Sequence, residues 1–189
     1  MGEYTLGIER INIELSLRNK LALLDAFDQF FQGGNAAVAQ FIGKADDPSE
    51  LPSPEQLTEK IEAAQALLGQ VRARWQFLYD RIDTPIATVS EQLVALGYEQ
   101  HLNGTHPVKD GDTVFNLLQT WSIRAGWKKE IREELAKVFN GAALSPIVDE
   151  LKRIHKQVLR GRVWVALHMH AGDGNVHTNI PVNSDDYEM

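Results

Sequence analysis

Residues 53–82, SPEQLTEKIEAAQALLGQVRARWQFLYDRI, decide the fold. Ser53 carries a hydroxyl suited to cap a helix, Pro54 fits the first helical position, and Gln56 stands where its side chain can reach back to the cap backbone. Behind this start Leu57, Ile61, Ala64, Leu68, Val71, Trp75 and Leu78 alternate in spacings of four and three, which draws one apolar stripe down a helix. About 26 residues at 1.5 Å each predict a rod on the order of 40 Å. Such a stripe is stable only against an apolar partner.

The partner predicted from the pattern is a later helix carrying Val114, Leu118, Trp121, Ala125, Ile131, Leu135 and Val138, with Lys128 intruding on the stripe, and the two are expected as an antiparallel pair. Between them lie a short helix at Val89–Leu96 and a turn-rich stretch from Asn103 to Pro107. Working outward to the amino terminus, Ile11, Ile13 and Leu15 alternate with Asn12 and Glu14, which predicts a half-buried strand extending back through Tyr4, Leu6 and Ile8. Ser16 is then expected to cap a helix with Leu17, Leu21, Leu24, Phe27 and Phe31 on one side. Gly33 and Gly34 end that helix, a short helical piece follows at 35–42, and the polar stretch 44–52 reads as a linker.

Towards the carboxyl terminus Ser145-Pro146 opens a helix with Ile147, Leu151, Ile154 and Val158 on one side. Then the period changes from about 3.6 to 2. Val163, Val165, Leu167 and Met169 alternate with Trp164, Ala166, His168 and His170, a turn is expected at 171–175, and a second strand is expected at Val176–Val182. The fold class expected from these pieces is α+β, predominantly helical, with a small antiparallel sheet that includes a carboxyl-terminal hairpin. Three segments are expected: a strand–helix unit at 1–43, a helical segment at 44–140 with the long helix pair, and a helix followed by the hairpin at 141–189.

Composition bounds the function. The chain has 189 residues, is 43% hydrophobic and 24% charged, and carries a net charge of −7, so phosphate-backbone binding is unfavourable and nucleic acid is set aside. With no cysteine, thiolate ligands, disulfides and Cys nucleophiles are excluded, and a reducing cytoplasm is the expected location. The longest apolar run near the end, Val163–Leu167, is far shorter than the roughly 20 residues of a membrane helix. No transmembrane segment is expected, and peripheral contact with the inner membrane stays open.

Chemistry concentrates at 168–179. His170 and His177 are seven apart, so on one straight strand they would face opposite ways. Gly172 and Gly174 permit the fold-back that brings the end of one strand beside the start of the next, so that both imidazoles converge. Two neutral imidazoles suit Zn, Mn or Fe, bound weakly, with Asp173 orienting a ligand from behind. The residues alone leave a plain surface hairpin equally open. His168, on the same face as His170, is expected to be structural.

The run His170-Ala-Gly-Asp-Gly-Asn-Val-His177 resembles the H-x-G-D-G-N-[LV]-H signature of the FAD-linked oxidases, which include D-lactate, glycolate and D-2-hydroxyglutarate dehydrogenases. The resemblance is sharp over residues 162–183. It implies that His170 and His177 bind a divalent metal, that Asn179 contacts the substrate, and that Asn175 shapes the loop. It further implies that Arg124, in the Trp121-Ser-Ile-Arg124 context, pairs with the substrate carboxylate. The family's flavin domain has no counterpart in residues 1–160, which lack a phosphate cradle. The third metal ligand and the base, in a Glu-His-Gly motif, would lie beyond Met189. The sequence therefore reads as a fragment of the substrate- and metal-binding region of an FAD-dependent 2-hydroxy-acid dehydrogenase, inactive alone, its partners being the flavin domain and a small 2-hydroxy acid.

Two rival readings remain. A zinc hydrolase of the His-x-His-x-Asp-His type would need an aspartate at position 172 and a histidine at 173, where the sequence has Gly172 and Asp173. The other rival is a helical interaction module whose hairpin is only structural.

Overall fold

A computed structural model describes the backbone of residues 2–43, 51–99, 108–160, 166–170 and 175–179, and side chains within 10–43, 51–99 and 108–158. The elements are α1 (Gly2–Gln32), α2 (Gly34–Ala39), α3 (Pro54–Asp80), α4 (Ile86–Ala95), α5 (Val114–Gln119), a π-turn at Lys128–Arg132 running into α6 (Glu133–Val138), α7 (Ser145–Arg160), and strands β1 (Ala166–His170) and β2 (Asn175–Asn179).

Helix α3 forms for the reasons read from its sequence. Ser53 Oγ accepts from the Gln56 N–H at 3.2 Å while the Ser53 N–H donates to Gln56 Oε1 at 2.9 Å, and Pro54 opens the first turn. All seven stripe residues from Leu57 to Leu78 are buried. Each large apolar side chain so buried contributes about 1.5–3 kcal/mol relative to exposure.

The partner of that stripe differs from the expected one. Helix α3 lies chiefly along α1, and also touches the π-turn and α6. Arg72 fastens the pair by reaching Asp25 at 2.8 Å and Asp28 at 2.7 Å, both on α1. The single long helix expected across 114–138 is broken. Thr120 Oγ donates back to the Asn116 carbonyl at 2.8 Å and lies 2.9 Å from Ser122 Oγ, so short hydroxyl side chains compete with the helical ladder just where it ends. Trp121 then takes φ 60°, and helical geometry resumes only at the π-turn.

The α+β expectation is overturned. Among the described residues of 10–158 there is no strand, and the described core lies on helices and the turns joining them, so this described body is all-helical. The amino-terminal strand is replaced by the first half of α1. Of the alternating trio, only Ile13 packs on the core, while Ile11 is 56% and Leu15 38% exposed. Ile13, Leu17, Leu24, Phe27 and Phe31 continue one helical stripe instead. Ser16 is consequently no cap but a mid-helix residue whose Oγ accepts from Lys20 Nζ at 3.0 Å. The pairing of β1 with β2 is a two-stranded ladder only and adds no sheet layer to this core.

Residues from 17 to 154 share one hydrophobic cluster, so α1, α3 and α7 contribute to the same core across the expected segment limits. Phe31 stacks on Phe139 with ring centroids 5.8 Å apart, and Trp127 lies between Phe27 at 5.5 Å and His155 at 4.2 Å. The chain turns after α1 at Gly34, whose φ of 59° favours glycine. Among the described residues no helix is long and apolar enough to cross a membrane.

Candidate functional site

Strand β1 pairs antiparallel with β2 in the register Ala166–Asn179, His168–His177 and His170–Asn175. Directly opposed residues of an antiparallel pair belong to one face, as do residues two apart on a strand. Positions 166, 168, 170, 175, 177 and 179 therefore share a face, and positions 167, 169, 176 and 178 share the other. This register unites His170, His177, Asn175 and Asn179, the positions singled out by the signature, on one side of the ladder. His170 and His177 are diagonal neighbours, and His168 stands directly opposite His177. Histidine is a residue type whose neutral imidazole suits Zn, Mn or Fe, and the register sets His168, His170 and His177 at positions of one face.

One detail of the expected hairpin changes. Asn175 belongs to β2 opposite His170 rather than to the loop. Gly172, Asp173 and Gly174, with the expected strand ends at 163–165 and 180–182, lie outside the described residues. The register alone admits His168 beside His177 as readily as His170; it is the signature that selects His170.

Arg124 stands elsewhere, on the irregular segment between α5 and the π-turn rather than on a helix. Its guanidinium carbon lies 5.0 Å from the centroid of the Trp121 ring, a cation–π contact made possible by the positive φ of Trp121. The indole is 68% exposed. Both residues line a cleft of about 270 Å³ whose other wall is α1, with Ile13, Leu17 and Lys20. Lys20 and Trp121 were not anticipated as site residues; the polar frame Thr120-Trp121-Ser122 was the one signal that this tryptophan leaves a helix.

The segment carrying Arg124 is held from behind by Glu130. That carboxylate accepts from Trp75 Nε1 at 3.1 Å, from Arg74 Nε at 3.2 Å and from the Gly126 N–H, and Arg74 Nη2 is 3.0 Å away. Burial pushes the nearby Tyr98 phenol above its ordinary range, and the Glu130 charge pushes it in the same direction. Such a mesh fixes one end of the 120–126 segment against α3.

No family model, curated protein or solved structure matches this chain.

Proposed function

We propose that this chain supplies the metal- and substrate-binding hairpin of an FAD-linked 2-hydroxy-acid dehydrogenase. The observation carrying this is the H-A-G-D-G-N-V-H run at 170–177, supported by a register in which both of its histidines and Asn179 share one face of a two-stranded ladder. In this reading His170 and His177 hold a divalent metal as neutral imidazoles. Asn179, two residues beyond His177 on the same face, offers an amide to the acid's oxygens. Arg124 pairs with the substrate carboxylate. A bound metal would polarise the hydroxyl and carboxylate of the acid. The flavin, and the base that takes the hydroxyl proton, are assigned to parts of the protein other than residues 1–160 and this hairpin. The cytoplasm is the proposed location, consistent with a chain that has no cysteine.

Calorimetric titration with Zn²⁺ tests the ligand assignment. The wild-type chain is expected to bind one equivalent, His170→Ala and His177→Ala to lose most of the heat, and His168→Ala to change it little. Affinity should fall as pH drops through about 6.5, because an imidazole must be neutral to ligate. Equal heats from wild type and His177→Ala would refute the metal site.

A further inference from the structure

Helix α1 carries two apolar stripes, and the core uses one of them. Ile13, Leu17, Leu24, Phe27 and Phe31 pack in the core. Tyr4, Ile8, Ile11 and Leu15 repeat on the same helix in spacings of four, three and four. At 3.6 residues per turn this second stripe runs about half a turn away from the first. Ile11 is 56% and Leu15 38% exposed, and neither belongs to the core cluster. The stripe is confined to the first half of α1, because the same side continues with Arg18, Ala22 and Gln29, all exposed. Trp121, 68% exposed, borders this half of the helix at Asn12 and Ser16 and widens the patch.

A four-three-four repeat is the spacing of a coiled-coil seam, which calls for another helix with a similar repeat. The stripes of α3 and α7 are already buried in the core. A second copy of α1 supplies the required repeat, and the charges favour one direction of pairing. With the two helices parallel, Arg18, the next position of the seam, would stand opposite its own counterpart. An antiparallel pairing centred between Ile8 and Ile11 sets Ile8 opposite Ile11 and Tyr4 opposite Leu15, and at the flanks sets Glu14 by Gly7 and Asn12 by Thr5, so no like charges meet. Glu14 is in addition already engaged by Arg10 of its own chain at 2.7 Å. An apolar patch on the order of 300–600 Å² per copy would bury about 600–1,200 Å² in the pair, the range of weak and transient interfaces.

We propose that the Tyr4–Ile8–Ile11–Leu15 stripe is a docking surface for a second copy of this chain, the two α1 helices pairing antiparallel in a weak, two-fold symmetric dimer. Trp121 stands at the rim of this surface, a residue type that recurs among the strongest contacts of protein interfaces.

Sedimentation equilibrium of the 189-residue chain from micromolar to millimolar concentration tests the pairing. Wild type is expected to pass from monomer to dimer across this range. Ile11→Lys and Leu15→Lys should each weaken the dimer roughly tenfold or more, because an ammonium would have to leave water for an apolar seam. Gln29→Lys, which adds a lysine to the same side of α1 beyond the stripe, should dimerise like wild type. All three sites are exposed, so helical circular dichroism should be unchanged. The chain has no cysteine, so single-cysteine variants report the direction of pairing. Tyr4→Cys mixed with Leu15→Cys should form a disulfide on mild oxidation, whereas Tyr4→Cys alone should not, its own counterpart lying about 16 Å away along the pair. A chain that stays monomeric at every concentration, whatever then covers the stripe, overturns the proposal, as does a dimer equally tight in wild type, Ile11→Lys and Leu15→Lys. Self-linking of Tyr4→Cys without linking to Leu15→Cys refutes the antiparallel pairing.

Discussion

Replacing Glu130 by alanine tests how the segment 120–126 is held. The carboxylate takes three donors, and the most costly to strand is Trp75 Nε1, because Trp75 is 0% exposed and water cannot replace the lost acceptor. A buried donor left unpaired costs about 1–3 kcal/mol, and the lost Gly126 and Arg74 bonds add about 0.5–1.5 kcal/mol, discounted because Arg74 is partly exposed and can turn to solvent. Glu130→Ala should therefore lower unfolding free energy by about 2–4 kcal/mol in urea titrations with an unchanged slope. Glu130→Gln, which keeps an acceptor for the indole, should cost about 1–2 kcal/mol. In a Trp75→Phe background the Glu130→Ala penalty should shrink by about 1–2 kcal/mol, since the donor is already gone. A loss under about 0.5 kcal/mol for Glu130→Ala would show that the mesh contributes no stability, and full additivity in that cycle would show that Trp75 and Glu130 are not coupled.

Leu68, 1% exposed in the middle of the α3 stripe, should cost about 2–5 kcal/mol when cut to alanine, read by the same titration. At the surface, Arg10 on α1 pairs with Asp83 and holds its carboxyl below the ordinary carboxylate range. A depressed folded-state pKa gives stability that is present above the unfolded value near ~3.9 and lost as pH falls through the lower folded value. Asp83→Asn should thus remove about 0.2–1 kcal/mol at neutral pH and nothing at strongly acidic pH, because the pair is exposed.

How far the fold was legible depended on whether local pattern and tertiary packing agreed. Around α3 they agreed at every level: the Ser53–Gln56 box, Pro54 and the seven stripe residues all point to one helix, and all seven are buried. At Ile11, Ile13 and Leu15 the alternation spanned only five residues, too short to outweigh a helical stripe running from Ile13 through Phe31. The break at Thr120–Ser122 was hidden because apolar residues on both sides keep helical spacing, while the hydroxyl competition that ends α5 depends on geometry. The pairing of β1 with β2 follows the change of period, but it adds no sheet layer to the helical core, and the role of its histidines rests on the signature alone. The cleft was not legible, because Lys20 and Arg124 are far apart in sequence and meet one cavity only after α1 packs beside the segment 118–125.

The central claim, that the hairpin is a metal site, is met most directly by imidazole nuclear magnetic resonance of the six histidines during Zn²⁺ titration. The ring signals of His170 and His177 should shift together and saturate at one equivalent, while those of His101, His106 and His155 stay where they are. If His170 and His177 stay unmoved at one equivalent, or if all six rings broaden in parallel, the hairpin is not a metal site and the dehydrogenase proposal loses its foundation.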